Sequence, residues 1–301
     1  MGTRSNGKAA LRTFGQAVAI ITGGGSGIGA ALGRGLAARG AHVILADRDE
    51  DGARAEAERL RSGGGRAEAV ALDVRDAAAV ERVVVQAFEA HRRLDYLFNN
   101  AGIGVAGEAQ NLSLEDWTYS IDVNLMGPIY GVQAAYPRMV EQGFGHIVNT
   151  ASMAAYMATP LTAPYGTTKH ALLGLSRALR VEGADRGVRV SVMCPGVIRT
   201  PILVRAGKYG RLPGALDPET ERALWNRLRP MEPDLFAAKA LDAVARNRGL
   251  IVIPAWWRAF RMVNAVFPGL GEALALREYR KARELFLQST SSPAEGKKDT
   301  S

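Results

Sequence analysis

The chain has 301 residues, 47% hydrophobic and 23% charged, an ordinary globular composition that excludes wholesale disorder and a fibrous protein. Its single cysteine, Cys194, excludes an internal disulfide framework and a Cys-cluster metal site, and points to a reducing, cytoplasmic setting. The net charge is +8, yet residues 1–13 and 255–287 each carry +3 and residues 14–254 only about +2, so the basic stripe expected of a nucleic-acid binder is missing from the body of the chain.

Residues 1–13 read as a flexible arm without the apolar run of a secretory signal. Ala17–Thr22 (AVAIIT) is a continuous β-branched run and predicts a strand buried on both faces. Gly23–Gly29 is a loop, and Ala30–Arg39 predicts a helix ended by Gly40. Strands are expected at His42–Ala46, Ala67–Leu72, Asp95–Phe98, His146–Thr150, Val188–Met193 and Leu250–Ile253, and helices at Asp49–Ser62, Ala77–Ala90 and Pro164–Glu182. Ser113-Leu-Glu-Asp116 is a capping box that opens one long helix through Tyr136 and beyond. The longest charge-free stretch, Gly15 to Gly33, holds a glycine cluster unsuited to a membrane span.

Strands and helices alternate throughout. The expected fold is a single α/β domain at 14–255, a doubly wound parallel sheet of seven strands (Rossmann-like) with helices on both faces. An amphipathic helical extension at 256–287 and a disordered tail at 288–301 follow it.

Thr22-Gly-Gly-Gly-Ser-Gly-Ile-Gly29 follows a strand and opens a helix. Glycines let the backbone approach a pyrophosphate, and the helix start supplies N–H donors and a positive dipole end. Asp47, at the end of the second strand, is the acid expected to hold the adenosine ribose hydroxyls. A carboxylate there repels a 2′-phosphate, which favours NAD; Arg48, able to pair with that phosphate, keeps NADP as the alternative. Tyr165 and Lys169 stand four apart on one helix face, and a nearby ammonium favours the phenolate, making a proton donor and acceptor for an alcohol/carbonyl couple.

These pieces sit in company. Thr22-Gly-x-x-x-Gly-x-Gly29, Leu72-Asp-Val74, Asn99-Asn-Ala-Gly102, Asn124 in IDVNLMG, Ser152 in NTASMAAY, Tyr165-x-x-x-Lys169 and Pro195-Gly196 with Thr200 occur in the order of the short-chain dehydrogenase/reductase family, which the chain resembles over residues 14–255. The resemblance implies Tyr165 as catalytic acid/base, Ser152 on the substrate oxygen, Lys169 on the nicotinamide ribose, and Asn124 anchoring a water relay. It places Gly23, Ser26, Gly27, Ile28 and Gly29 on the phosphates, Asp47 and Arg48 at the ribose end, and Asp73 and Val74 along the adenine. Asn100, Ala101 and Gly102 come beside the ribose, and Pro195, Gly196, Ile198 and Thr200 near the nicotinamide. It also implies a homodimer or homotetramer built on Ser113–Val140 and Pro164–Glu182. Thr150-Ala-Ser152 departs from the family's usual Ser-Ser pair while keeping the second serine.

Three loops should choose the substrate: Ile103–Gly107, Met153–Leu161 and the long span at about 201–231, which the resemblance implies is a lid. They are largely apolar, the lid including Val204, Tyr209, Leu212, Leu216, Leu224 and Trp225, and suit an apolar secondary alcohol or ketone. Trp256, Phe260, Val263 and Phe267 form a stripe with Arg258 and Arg261 beside it. That stripe either covers the active-site mouth or a partner subunit, or makes peripheral membrane contact through 256–267. Pro268-Gly269 should break this helix before a second one at Glu272–Leu287. Cys194 reads as a small core residue, and His42, His91, His146 and His170 share no ligand spacing, so no metal is inferred. The rival to an enzyme is a non-catalytic nucleotide-binding or membrane-surface protein on the same fold.

Overall fold

The computed structural model describes residues 10–203, 210–211, 226 and 229–291. Most of the expected lid, including Val204, Tyr209, Leu212, Leu216, Leu224 and Trp225, lies outside the described residues, as do 1–9 and 292–301.

The strands are β1 (Val18–Thr22), β2 (His42–Asp47), β3 (Arg66–Ala71), β4 (Tyr96–Asn99), β5 (Gly104–Val105), β6 (Gly145–Thr150), β7 (Val188–Pro195), β8 (Gly210–Arg211) and β9 (Leu250–Ile253). Seven of them form one parallel sheet in the order β3-β2-β1-β4-β6-β7-β9, and β5 pairs with β8 apart from it. The helices are α1 (Gly27–Ala37), α2 (Glu50–Ser62), α3 (Ala77–His91), α4 (Leu114–Ile121), α5 (Gly127–Gln142), α6 (Ala163–Gly183), α7 (Pro233–Ala245), α8 (Trp257–Val266) and α9 (Pro268–Ser291).

The alternation of side chains along each strand explains the continuous apolar runs. Ile21, Leu45 and Phe98 pack on one face with Leu32 and Leu36 of α1, Ala57 of α2 and Phe236 and Leu241 of α7. Ile20, Ile44 and Leu97 pack on the other with Val80 and Val84 of α3 and Val132 and Met139 of α5. The strand order reverses between β1 and β4, and the crevice at that switch point, above the carboxyl ends, is where ligands bind in such sheets.

Several expectations need correction. The helix capped by Ser113 is not continuous: the capping box is present, but a π-helical turn at Asp122–Met126 separates α4 from α5. Residues 10–13 are held rather than loose, since the Arg12 N–H donates to Asp95 Oδ1 (3.0 Å) and the Tyr96 hydroxyl donates to the Arg12 carbonyl (2.8 Å). The break expected at Pro268 is present, but Pro268 itself opens α9, at a helix start where its missing N–H costs nothing, ahead of the expected Glu272, and α9 carries Gln288–Ser291 as helix rather than disordered tail. Helix α7 was not foreseen at all.

Candidate active site

A cavity of about 700 Å³ opens over the carboxyl ends of β1, β2, β4, β6 and β7. Its cofactor-side wall begins at the loop after β1. Gly23 and Gly27 adopt φ of +66° and +54°, which side-chain-bearing residues resist. A Cβ on Gly29 would overlap the Gly23 carbonyl oxygen, so α1 can seat against the loop only with glycine there. Ser26 precedes α1 without a side-chain cap, leaving the first-turn N–H groups at the cavity wall without a side-chain partner. Thr22 fastens this loop to the one after β4: its hydroxyl accepts from the Asn100 and Ala101 N–H groups at 3.0 and 3.1 Å. The Asn100 amide completes the clamp by donating to the Thr22 carbonyl at 3.1 Å.

Asp47 lines the cavity at the end of β2. Its two oxygens accept from the Gly25 and Asp49 N–H groups, each at 2.9 Å, which fixes the carboxylate beside the glycine loop. Arg48 donates to the Tyr119 hydroxyl at 3.2 Å. Asp73 is clamped by Arg75 at 2.6–3.0 Å, and that guanidinium holds its carboxyl below the usual carboxylate range.

The reacting end is built by β6, α6 and the π-helical turn. Lys169 is buried and donates from Nζ to the Thr150 carbonyl at 2.9 Å, with Nζ 5.5 Å from the Tyr165 ring centroid. Burial raises the Tyr165 phenol above its ordinary value, a hydrogen bond with Ser152 opposes that rise, and burial pulls the Lys169 ammonium down to about 8. Asn124 is fully buried. It accepts from the Ile103 N–H (2.9 Å) and donates to the Ile103 carbonyl (3.0 Å) and Ser120 Oγ (3.3 Å). A Cβ on Gly102 would lie 3.2 Å from Asn124 Oδ1 and 3.6 Å from Lys169 Nζ, so these two groups meet at Gly102.

Gly23, Ser26, Gly27, Ile28, Asp47, Arg48, Asp73, Val74, Asn100, Ala101, Gly102, Ser152, Tyr165, Lys169, Pro195, Gly196, Ile198 and Thr200 all line the one cavity. Two expected residues do not. Gly29 packs behind the loop, and Asn124 sits behind Ile103 and Gly102. The remaining wall is apolar: Ile103, Val105, Met153, Met157, Ile202 and Leu203 come from the three expected loops.

Trp257 also lines the cavity and was missed. The expected stripe placed Trp256 on the covered face; instead Trp256 is 59% exposed and Trp257 turns inward with Phe260 onto Val252 and Cys194. A Cβ on Gly196 would overlap the Trp257 indole nitrogen. The available signal was position, since Trp257 follows the carboxyl end of β9, where site residues of such sheets collect.

At the opposite ends of the strands the fold gathers two histidines that spacing keeps apart. His42 Nε2 lies within hydrogen-bond distance of Glu68 Oε1 at 2.6 Å, and His91 Nε2 lies 3.6 Å from the same oxygen, so two imidazoles and a carboxylate meet at the edge of the sheet.

The parallel switch-point sheet, the glycine cradle and the Ser–Tyr–Lys floor define an oxidoreductase with a Rossmann-like fold. The chain belongs to the short chain dehydrogenase family, whose model matches residues 17–208. It is 40% identical over 185 residues to 2,5-dichloro-2,5-cyclohexadiene-1,4-diol dehydrogenase of Sphingobium indicum, covering 62% of this chain and 74% of that one. It is 34% identical over 261 residues to the probable oxidoreductase EphD of Mycobacterium tuberculosis, 85% of this chain but 44% of the longer relative. Among solved structures, a short chain dehydrogenase/reductase from Burkholderia phymatum in complex with NAD superposes with a TM-score of 0.77 at 30% identity, covering 86% of this chain and 96% of that one.

Proposed function

We propose that this chain interconverts a small apolar secondary alcohol and its ketone with NAD as cofactor. The observation that carries the proposal is the convergence of Ser152, Tyr165 and Lys169 on one cavity whose substrate side is apolar. In the oxidative direction Tyr165 Oη takes the alcohol proton, and in reduction it returns it. Ser152 Oγ donates to the substrate oxygen and steadies negative charge there. Lys169 Nζ, held by the Thr150 carbonyl, is positioned for the ribose hydroxyls. A bound nicotinamide supplies the hydride acceptor or donor. The cradle suits such a dinucleotide, because the side-chain-free surface at Gly23 and Gly27 and the uncapped start of α1 match a pyrophosphate.

The carboxylate of Asp47, fixed by two backbone donors and facing the cavity, supports NAD over NADP. Arg48 lines the same wall and is the observation that favours the NADP reading. The Sphingobium indicum relative is by its name a dehydrogenase of a dichlorinated cyclohexadiene diol, which supports a compact cyclic substrate here. We also infer a dimer or tetramer through the outer faces of α4/α5 and α6, where Leu114 and Val181 are exposed.

Calorimetric titration with NADH and NADPH side by side tests the cofactor reading, and a ketone panel follows turnover. NADH binds tightly and NADPH weakly, and Asp47→Asn narrows the difference by about tenfold or more. Equal binding of both cofactors by the wild type, or no change in Asp47→Asn, overturns the assignment of Asp47. Tight NADH binding without any turnover on the panel moves the protein to the non-catalytic reading.

A further inference from the structure

We infer that the outer face of α8 and α9 docks on an anionic lipid surface with the mouth of the active site beside it. Among the described residues eleven large apolar side chains are exposed, and eight of them lie between 256 and 276. Helix α8 is apolar on both sides. Trp257 and Phe260 face the domain, while Met262 and Val266, one turn apart, face outward at 57% and 64% exposure. Phe267, Leu270 and Leu274 extend the outward face into α9, again at helical spacing. A soluble chain gains nothing from so concentrated a patch unless something covers it.

Charge selects the occupant. Residues 256–287 hold six Lys/Arg against three Glu, and Arg258, Arg277 and Arg280 are exposed. Arg277 follows Leu270 and Leu274 on the same helical face, and Glu278 beside it is paired with Lys281 at 2.7 Å, so the end of the apolar row carries net positive charge. A second copy of the chain joined by a two-fold axis sets this basic face against itself. An anionic bilayer satisfies both the apolar row and the charge, the pattern of a helix lying in a membrane interface.

The face is held at a fixed place. Asn264 Nδ2 donates to the Tyr156 carbonyl at 2.6 Å, and the Tyr279 hydroxyl donates to Glu108 Oε1 at 2.6 Å, with Arg283 on the same carboxylate at 3.1 Å. Tyr156 belongs to the Met153–Leu161 loop and Glu108 directly follows the Ile103–Gly107 loop, and both loops contribute to the wall of the active-site cavity. A second cavity of about 810 Å³ lies between α9 and the Tyr156–Pro160 loop, and Met157 lines both cavities. No helix among the described residues is long and apolar enough to cross a membrane, so the contact is at the surface.

The test is co-sedimentation of the full chain with phosphatidylcholine vesicles, with and without phosphatidylglycerol. Binding is expected only to the anionic vesicles, weakening as salt rises. Each charge reversed in Arg277→Glu/Arg280→Glu weakens it by roughly fivefold or more. Met262→Gln/Val266→Gln/Leu270→Gln, all exposed, abolishes binding while the circular dichroism spectrum and NADH affinity stay unchanged. Absence of binding to anionic vesicles, or undiminished binding by the triple variant, overturns the inference. So does a result in which the triple variant dissociates an oligomer by light scattering while the wild type ignores vesicles, because the face is then a subunit interface. The readout is sedimentation, so the inference stands or falls independently of the proposed reaction.

Discussion

Asn124→Ala separates a structural from a catalytic reading of the π-helical turn. The wild-type amide joins that turn to Ile103, accepting from its N–H and donating to its carbonyl, with a third bond to Ser120, all buried. Alanine leaves two backbone groups of Ile103 without a partner, and a buried orphan costs about 1–3 kcal/mol. The sum is about 4 kcal/mol, which lowers the melting temperature by on the order of 10 °C in a domain of this size. Thermal and urea melts followed by circular dichroism read it directly. A loss below about 1 kcal/mol refutes the bookkeeping, because water or a repacked loop then satisfies Ile103 at little expense. Turnover adds the second comparison: if kcat falls far more than stability at the assay temperature explains, Asn124 also serves proton movement at Lys169, its neighbour across Gly102.

Tyr165→Phe should lower kcat by about 10²–10⁴-fold through loss of acid/base work, with NADH affinity by calorimetry nearly unchanged. Burial pulls the Lys169 ammonium down to about 8 from 10.5, so between those values the unfolded chain binds more protons than the folded one, and stability from this group rises with pH. Thermal melts of cofactor-free wild type and Lys169→Met at pH 8 and pH 10 should therefore move apart in favour of the wild type; movement the other way contradicts the burial of Nζ.

The sheet was legible because it is buried on both sides. AVAIIT and HVILA can only be strands whose alternate residues enter different cores, and Ile20 and Ile21 do so. The site was legible because glycine, aspartate, tyrosine and lysine sit at loop and helix positions fixed by short spacings. What failed has physical causes. The π-helical turn inserts a residue that leaves no gap in the apolar pattern around Asn124. Helix α7 carries a clear periodic face in Phe236, Ala237, Ala240, Leu241 and Val244, but the sequence before it mixes apolar and charged residues without a clear period, which blurs its start. In α8 either tryptophan can begin an apolar stripe, and periodicity alone does not say which one meets the domain.

The tyrosine's charge balance differs from the one that Tyr-x-x-x-Lys spacing suggests. Lysine at four residues' distance should depress the phenol, yet Nζ is turned to the Thr150 carbonyl, and within the chain the group that lowers Tyr165 is Ser152. Ser152 itself is fixed, its hydroxyl accepting from the Ala154 N–H at 3.1 Å, so its proton is directed away from the backbone. We propose that its single proton serves in turn, donated to the phenolate in the substrate-free chain and to the substrate oxygen in the complex. Ser152→Ala should then shift the alkaline rise of alcohol oxidation to higher pH, because a phenol held higher by burial yields its base form later, and it should also lower the plateau. Ser152→Thr, which keeps the hydroxyl, should restore the position of that rise. If Ser152→Ala lowers the plateau and leaves the rise where it was, serine acts on the substrate alone, and the tyrosine's acidity is set by groups outside this pair.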